Sequence, residues 1–173
     1  PDEILSNSQL ETMVETNDAW IQDKTGIKER RILSDPQKAT SYLAIKAADD
    51  LISKNNINPK NIDMIIIATA TPDMQIAATA SYVGTKIGAI NAFGYDLQAA
   101  CSGFLYAMSM AAGKIESGRY KKVLVIGADK MSSIVNYEDR STCILFGDGA
   151  GAVLFEPNND GLGWQDEYFK SDG

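Results

Sequence analysis

The chain has 173 residues, 45% of them hydrophobic, enough to bury a core of its own and within the size of one globular domain. Its 23 acidic and 16 basic residues leave a net charge of −7, which repels a phosphate backbone and argues against nucleic-acid binding, although a local basic patch still suits an anionic small molecule. Histidine is absent, which removes the commonest general base and the commonest metal ligand, and no other residue cluster makes a metal site.

In chain order, Ser8-Gln9-Leu10-Glu11 reads as a capping box and Asn17-Asp18 as a second helix start, so two short helices are expected to open the chain. Ala44, Ala47, Ala48, Leu51 and Ile52 repeat at helical spacing, and Asn55-Asn56 with Pro59 ends that helix. The runs 62–68 and 123–128 are short, apolar and rich in β-branched residues, as strands covered on both faces are. Between them, Phe93, Tyr95 and Leu97 alternate with Gly94, Asp96 and Gln98 as a third strand, and 99–115 follows as a small-residue helix, giving a β-α-β-α-β order. Segments 142–146 and 152–155 flank Gly147-Asp148-Gly149-Ala150-Gly151, a spacing that predicts two antiparallel strands around a glycine-rich turn. The turn lacks the Gly-Lys-Ser/Thr ending of a P-loop.

The two cysteines, Cys101 and Cys143, have no spacing that frames a zinc site or a disulfide scaffold, which fits a reducing, cytoplasmic setting. No apolar run approaches the roughly 20 residues of a spanning helix, and Pro1-Asp2-Glu3 is not a signal peptide, so no membrane partner is expected. Cys143 sits in an apolar run and reads as core. Cys101 falls at the junction of the third strand and the following helix, where unpaired N–H groups and the helix dipole favour a thiolate. Its small neighbours, Ala99, Ala100, Ser102 and Gly103, leave room for a substrate carbonyl. The competing reading is a small buried filler. Lys24, Lys28, Arg30 and Arg31 form the densest basic stretch, suited to a phosphate-bearing molecule or an acidic carrier, or else to a solvated charged face.

Three motifs carry a specific resemblance. Asp96-Leu97-Gln98-Ala99-Ala100-Cys101-Ser102-Gly103 is similar to the nucleophile segment of β-ketoacyl-acyl carrier protein synthase III, Phe146-Gly147-Asp148-Gly149-Ala150-Gly151-Ala152 to its glycine-rich turn, and Trp20-Ile21 with Thr25-Gly26-Ile27-Lys28-Glu29-Arg30 to a third stretch, all in order. The resemblance implies an α/β, thiolase-like fold: one half of a pseudo-duplicated αβαβα architecture with a mixed, mainly parallel sheet. Residues 1–173 would be the N-terminal half, without a first strand, expected at the centre of the half-sheet, and without the C-terminal half that carries a catalytic His and Asn.

The same resemblance implies an acyltransferase. Cys101 would take an acyl group from acyl-coenzyme A and pass it to the carbanion of decarboxylating malonyl-acyl carrier protein, the initiating condensation of fatty acid synthesis, with no cofactor. Thr16, Trp20, Lys24 and Arg140 would bind coenzyme A, with lysine at 24 where the best-known members have arginine, a loss of the planar bidentate fork. Ile76, Leu145 and Phe146 would wall the acyl pocket, Ile76 from across a homodimer that pairs by the strand around Phe93. Other readings are a condensing enzyme of secondary metabolism, a hydroxymethylglutaryl-coenzyme A synthase type, or a non-catalytic half that binds acyl-coenzyme A.

Overall fold

The computed structural model describes residues 1–161 and 163–172. It opens on β1 (Glu3–Ser6), which pairs antiparallel with β2 (Glu29–Ile32) around α1 (Asn7–Leu10) and α2 (Asp18–Thr25). The two expected helices are present, but they stand inside a two-stranded ribbon that has no apolar run to announce it. The capping box lies two residues earlier than expected: Ser6 Oγ accepts from the Gln9 amide at 3.3 Å and Gln9 Oε1 accepts from the Ser6 amide at 2.8 Å. Ser6 and Ser8 both fit the spacing rule, and the strand ending at Ser6 decides between them. Asn17 caps α2 as expected, its Oδ1 accepting from the Trp20 amide at 2.8 Å, and Gly26 ends that helix at φ 73°.

The larger sheet has the order β4-β3-β5-β6. Strands β3 (Met64–Ala68), β4 (Phe93–Leu97) and β5 (Val123–Lys130) are parallel, and β6 (Asp148–Phe155) runs antiparallel to β5. From β3 the chain steps out to β4 through α4 (Thr79–Lys86), then returns past β3 to β5 through α5 (Gly103–Glu116). Helices α3 (Thr40–Lys54) and α4 cover one face and α5 the other. Two crossovers in opposite directions with helices on opposite faces share one hand, as parallel connections require.

Strand β3 shows why these segments read as continuous apolar runs. Ile65 and Ile67 pack with Ala44, Ala48 and Val83 on one face, while Met64 and Ile66 meet Ala107 and Ala111 on the other; all four strand residues are at most 1% exposed. Each such burial contributes roughly 1.5–3 kcal/mol.

Three expectations are corrected. The segment 142–146 is not a strand: Arg140–Cys143 forms a short helix, α6, and the glycine-rich segment is the first half of a continuous β6, with Lys130 opposite Asp148 and Gly127 opposite Gly151. The Asp139 carboxylate overrides the β propensity there, accepting from the Ser141 amide at 2.9 Å and the Thr142 hydroxyl at 2.7 Å. Helix α5 begins at Gly103 rather than at residue 99, after one 3₁₀ turn, Ala100–Ser102. Finally, β3 bonds directly to β4 and β5, and β5 to β6, so the sheet has no gap at its centre for a further strand; its open edges are β4 and β6.

Candidate active site

Cys101 stands in the 3₁₀ turn between β4 and α5, at the carboxyl ends of the parallel strands, where ligands settle in open α/β sheets. Ala100, just before it, adopts φ 45°, a left-handed conformation that costs a non-glycine residue about 1–2 kcal/mol. The kink leaves Cys101 exposed while Gly103, two residues on, is buried. Cys101 lines a cleft of about 420 Å³ with Ala68, Phe104, Asp129, Met131 and the glycine-rich start of β6. The Ser102 amide donates to Ala99 O at 3.1 Å, whereas the Cys101 amide meets no acceptor among the described residues and is free to hold a developing oxyanion.

Cys143 is the opposite case. It is fully buried on α6, as the core assignment requires, and its thiol is pushed above the ordinary value chiefly by that burial, then by Asp139. The filler description fits Cys143 and not Cys101.

The glycines around the cleft divide by role. A Cβ at Gly147 would come within 3.0 Å of Arg31 O, so glycine there lets β2 approach. At Gly149 and Gly151 a Cβ would meet nothing within 4 Å. Those two keep the cleft open.

A second cluster joins α2 to α6. The Arg140 guanidinium lies 5.3 Å from the Trp20 ring centroid and donates to Glu15 O at 3.0 Å. Trp20 is 36% exposed, so one flat aromatic surface and one cation stand together at the surface. Thr16 Oγ1 is buried without a hydrogen-bond partner among the described residues. Lys24, on the same helix, is exposed, its ammonium 2.7 Å from Asp23 in a surface pair that is easily exchanged. Arg30 leaves the basic stretch altogether: it is 5% exposed and its guanidinium donates to Ile144 O and Asn7 Oδ1.

Ile76 is fully exposed on the loop between β3 and α4 and does not reach the Cys101 cleft of its own chain. Leu145 and Phe146 connect α6 to Gly147 at the cleft; Leu145 is exposed and Phe146 half-buried. The sequence reading missed Asp129 and Met131, both on the cleft wall. A carboxylate closing the apolar run 123–128 was the available signal.

Residues 95–173 match the family model for 3-oxoacyl-[acyl-carrier-protein (ACP)] synthase III. The whole chain is 53% identical to β-ketoacyl-[acyl-carrier-protein] synthase III 2 of Bacteroides thetaiotaomicron, covering 52% of that protein. Among solved structures, 3-oxoacyl-[acyl-carrier-protein] synthase III from Aquifex aeolicus superposes with a TM-score of 0.89 at 46% identity, over 92% of this chain and 51% of that one. The priming β-ketosynthase of the R1128 polyketide biosynthetic pathway follows with 0.88 at 34% identity, over 92% and 47%. The chain spans about half the length of the relatives it matches, and its fold is thiolase-like.

Proposed function

We propose that this chain, which along its whole length resembles the N-terminal half of the β-ketoacyl-[acyl-carrier-protein] synthase III family, supplies the nucleophile of an acyltransferase that starts fatty acid synthesis. The observation that carries the reading is the exposed Cys101, set by a strained turn at the carboxyl ends of the parallel strands with its own amide unengaged.

In the first step the Cys101 thiolate attacks the thioester carbonyl of acyl-coenzyme A. The oxyanion is held by the Cys101 amide, the carbon–sulfur bond to coenzyme A breaks, and coenzyme A leaves as a thiolate that takes up the proton Cys101 gave up on ionising. In the second, malonyl-acyl carrier protein loses carbon dioxide, and the resulting carbanion attacks the acyl-cysteine carbonyl, expelling the thiolate and leaving 3-oxoacyl-acyl carrier protein. Decarboxylation draws on a His and an Asn outside residues 1–173, as the resemblance implies. No cofactor enters, since acyl-coenzyme A is a substrate.

Trp20 and Arg140 would grip the adenine, with Thr16 and Lys24 beside them; the orphaned Thr16 hydroxyl and the easily exchanged Lys24 pair support that assignment. Leu145 and Phe146 would wall the acyl pocket, and Ile76 would reach a partner's pocket in a homodimer joined along the open β4 edge. The location would be cytoplasmic, where an exposed thiol stays reduced. Among the described residues no helix is long and apolar enough to cross a membrane. The likeness to the polyketide priming synthase favours one second reading, the same chemistry in secondary metabolism.

The test is product formation by the full-length protein from acetyl-coenzyme A and malonyl-acyl carrier protein, read as the carrier protein's mass. A 3-oxobutyryl adduct that disappears with Cys101→Ala is the expected result; a carrier protein that stays malonylated overturns the proposal.

A further inference from the structure

We propose that Asp129 is a positioning residue for acyl selection: its carboxylate clamps the start of the loop 69–78 and so sets where the apolar tip of that loop meets an acyl group held in the other subunit of the homodimer. The inference rests on the functional reading above.

Asp129 lies near the end of β5 and lines the Cys101 cleft. Its Oδ1 accepts from Thr69 Oγ1 at 3.1 Å, the Ala70 amide at 2.8 Å, the Thr71 amide at 3.2 Å and Thr71 Oγ1 at 3.0 Å. Every hydrogen bond this side chain makes among the described residues goes to the three residues that follow β3. Bonds to an ionised acceptor are stronger than neutral ones. Thr71 extends the clamp: its Oγ1 accepts from the Lys130 amide at 2.9 Å, and its carbonyl accepts from Thr40 Oγ1 at 2.6 Å.

Two other carboxylates hold the rest of the loop. Asp73 Oδ1 accepts from the Ser41 amide at 2.9 Å, and Asp96 accepts from the Thr79 and Ala80 amides at 2.7 and 2.9 Å. Between these anchors Met74 and Ile76 are 66% and 100% exposed. The loop therefore has fixed feet and an unsupported apolar tip. Of the three anchors only Asp129 also lines the cleft, so it alone joins the wall beside Cys101 to the foot of the loop. A wall serving an apolar acyl chain needs packing rather than charge, and the carboxylate is explained by the loop it grips.

The experiment compares full-length wild type with Asp129→Asn, which keeps a neutral Oδ1 acceptor, and Asp129→Ala, which keeps none. Intact mass gives the rate of Cys101 acylation with acetyl-, butyryl- and isobutyryl-coenzyme A. Hydrogen exchange follows residues 69–78 against β3 and β5. Loss of the clamp is expected to change the acetyl-to-isobutyryl rate ratio about tenfold in Asp129→Ala, the scale of one charge-assisted hydrogen bond. Exchange should rise in 69–78 alone, and Asp129→Asn should stay near the wild-type ratio. One common slowing for all three primers, or exchange rising throughout the sheet, makes Asp129 merely structural and overturns the proposal. Absence of any acyl-Cys101 in wild type overturns the functional reading and the selection role with it, while the exchange data separately decide whether Asp129 holds the loop.

Discussion

Replacing Arg30 by methionine sets two effects against each other. The guanidinium is 5% exposed, and among the described residues it makes no ion pair. Burial lowers its pKa from the ordinary guanidinium value. Removing such a charge relieves desolvation and, alone, would stabilise the fold. Against that, Nε donates to Ile144 O at 2.9 Å with Nη2 on the same oxygen, and Nη1 donates to Asn7 Oδ1 at 2.6 Å. Methionine leaves both oxygens buried without these donors, at about 1–3 kcal/mol each. The Asn7 Nδ2 bonds to Asp18 Oδ1 and Ile27 O, both 2.8 Å, hold that amide in place, so its oxygen has little freedom to turn toward water. The expected net loss is about 2–5 kcal/mol, a large part of a typical domain's stability. Arg30→Lys should lose nearly as much, because one ammonium on a thinner stem does not reproduce the fork. Denaturant titration by tryptophan fluorescence and far-ultraviolet circular dichroism reads the shift in midpoint. A methionine variant as stable as wild type would show that desolvation outweighs the hydrogen bonds and refute the reasoning.

Gly94→Ala places a Cβ 2.8 Å from Ile65 O and 2.9 Å from Ala80 Cβ, so α4 must lift from β4; a loss of about 1–3 kcal/mol is expected in a thermal melt. Gly113→Ala, with nothing within 4 Å of its Cβ inside α5, should instead gain about 0.5–1 kcal/mol. Trp20→Ala should weaken coenzyme A binding by about 1–3 kcal/mol, the worth of one base stacked on an aromatic ring, and Arg140→Ala in the same background should add less than it does alone; calorimetric titration with coenzyme A measures both. The Asp18 carboxyl is held below its ordinary 3.8 by the hydrogen bond from Asn7 and then that from Gln22, and the Asp139 carboxyl by the Ser141 hydroxyl and then Thr142. Depressed values mean stabilisation that is full above pH 3.8 and lost as pH falls through the folded values. Asp18→Asn and Asp139→Asn should lower stability at neutral pH, where the contribution is full, and flatten the acid limb of a circular-dichroism titration below pH 3.8; variants as stable as wild type at neutral pH would contradict this.

Strands β3 and β5 were legible because both faces are buried, and burial on two faces demands an apolar residue at every position. The amphipathic α3 was legible for the matching reason, one buried face at helical spacing. Strand β6 was legible only in its second half, 152–155, since its first half is mostly glycine and alanine beside an open cleft, a composition that reads as a turn until the pairing with β5 is seen. The residues 142–146 misled because their β-branched and aromatic character is local, whereas the Asp139 cap that winds α6 is a single side chain. Arg30 looked like surface charge because nothing in the order of residues shows that Ile144 O, far along the chain, needs a donor. The strand-to-helix junction at Cys101 was legible from the residues around it; the exposure of Cys101 and the Ala100 kink belong to the folded chain.

Intact-mass analysis of the full-length protein after exposure to acetyl-coenzyme A, with Cys101→Ala alongside, tests the central claim most directly. A single acetyl adduct in wild type and none in the variant is the result this account requires. An unmodified wild type, or an adduct that survives Cys101→Ala, would contradict it.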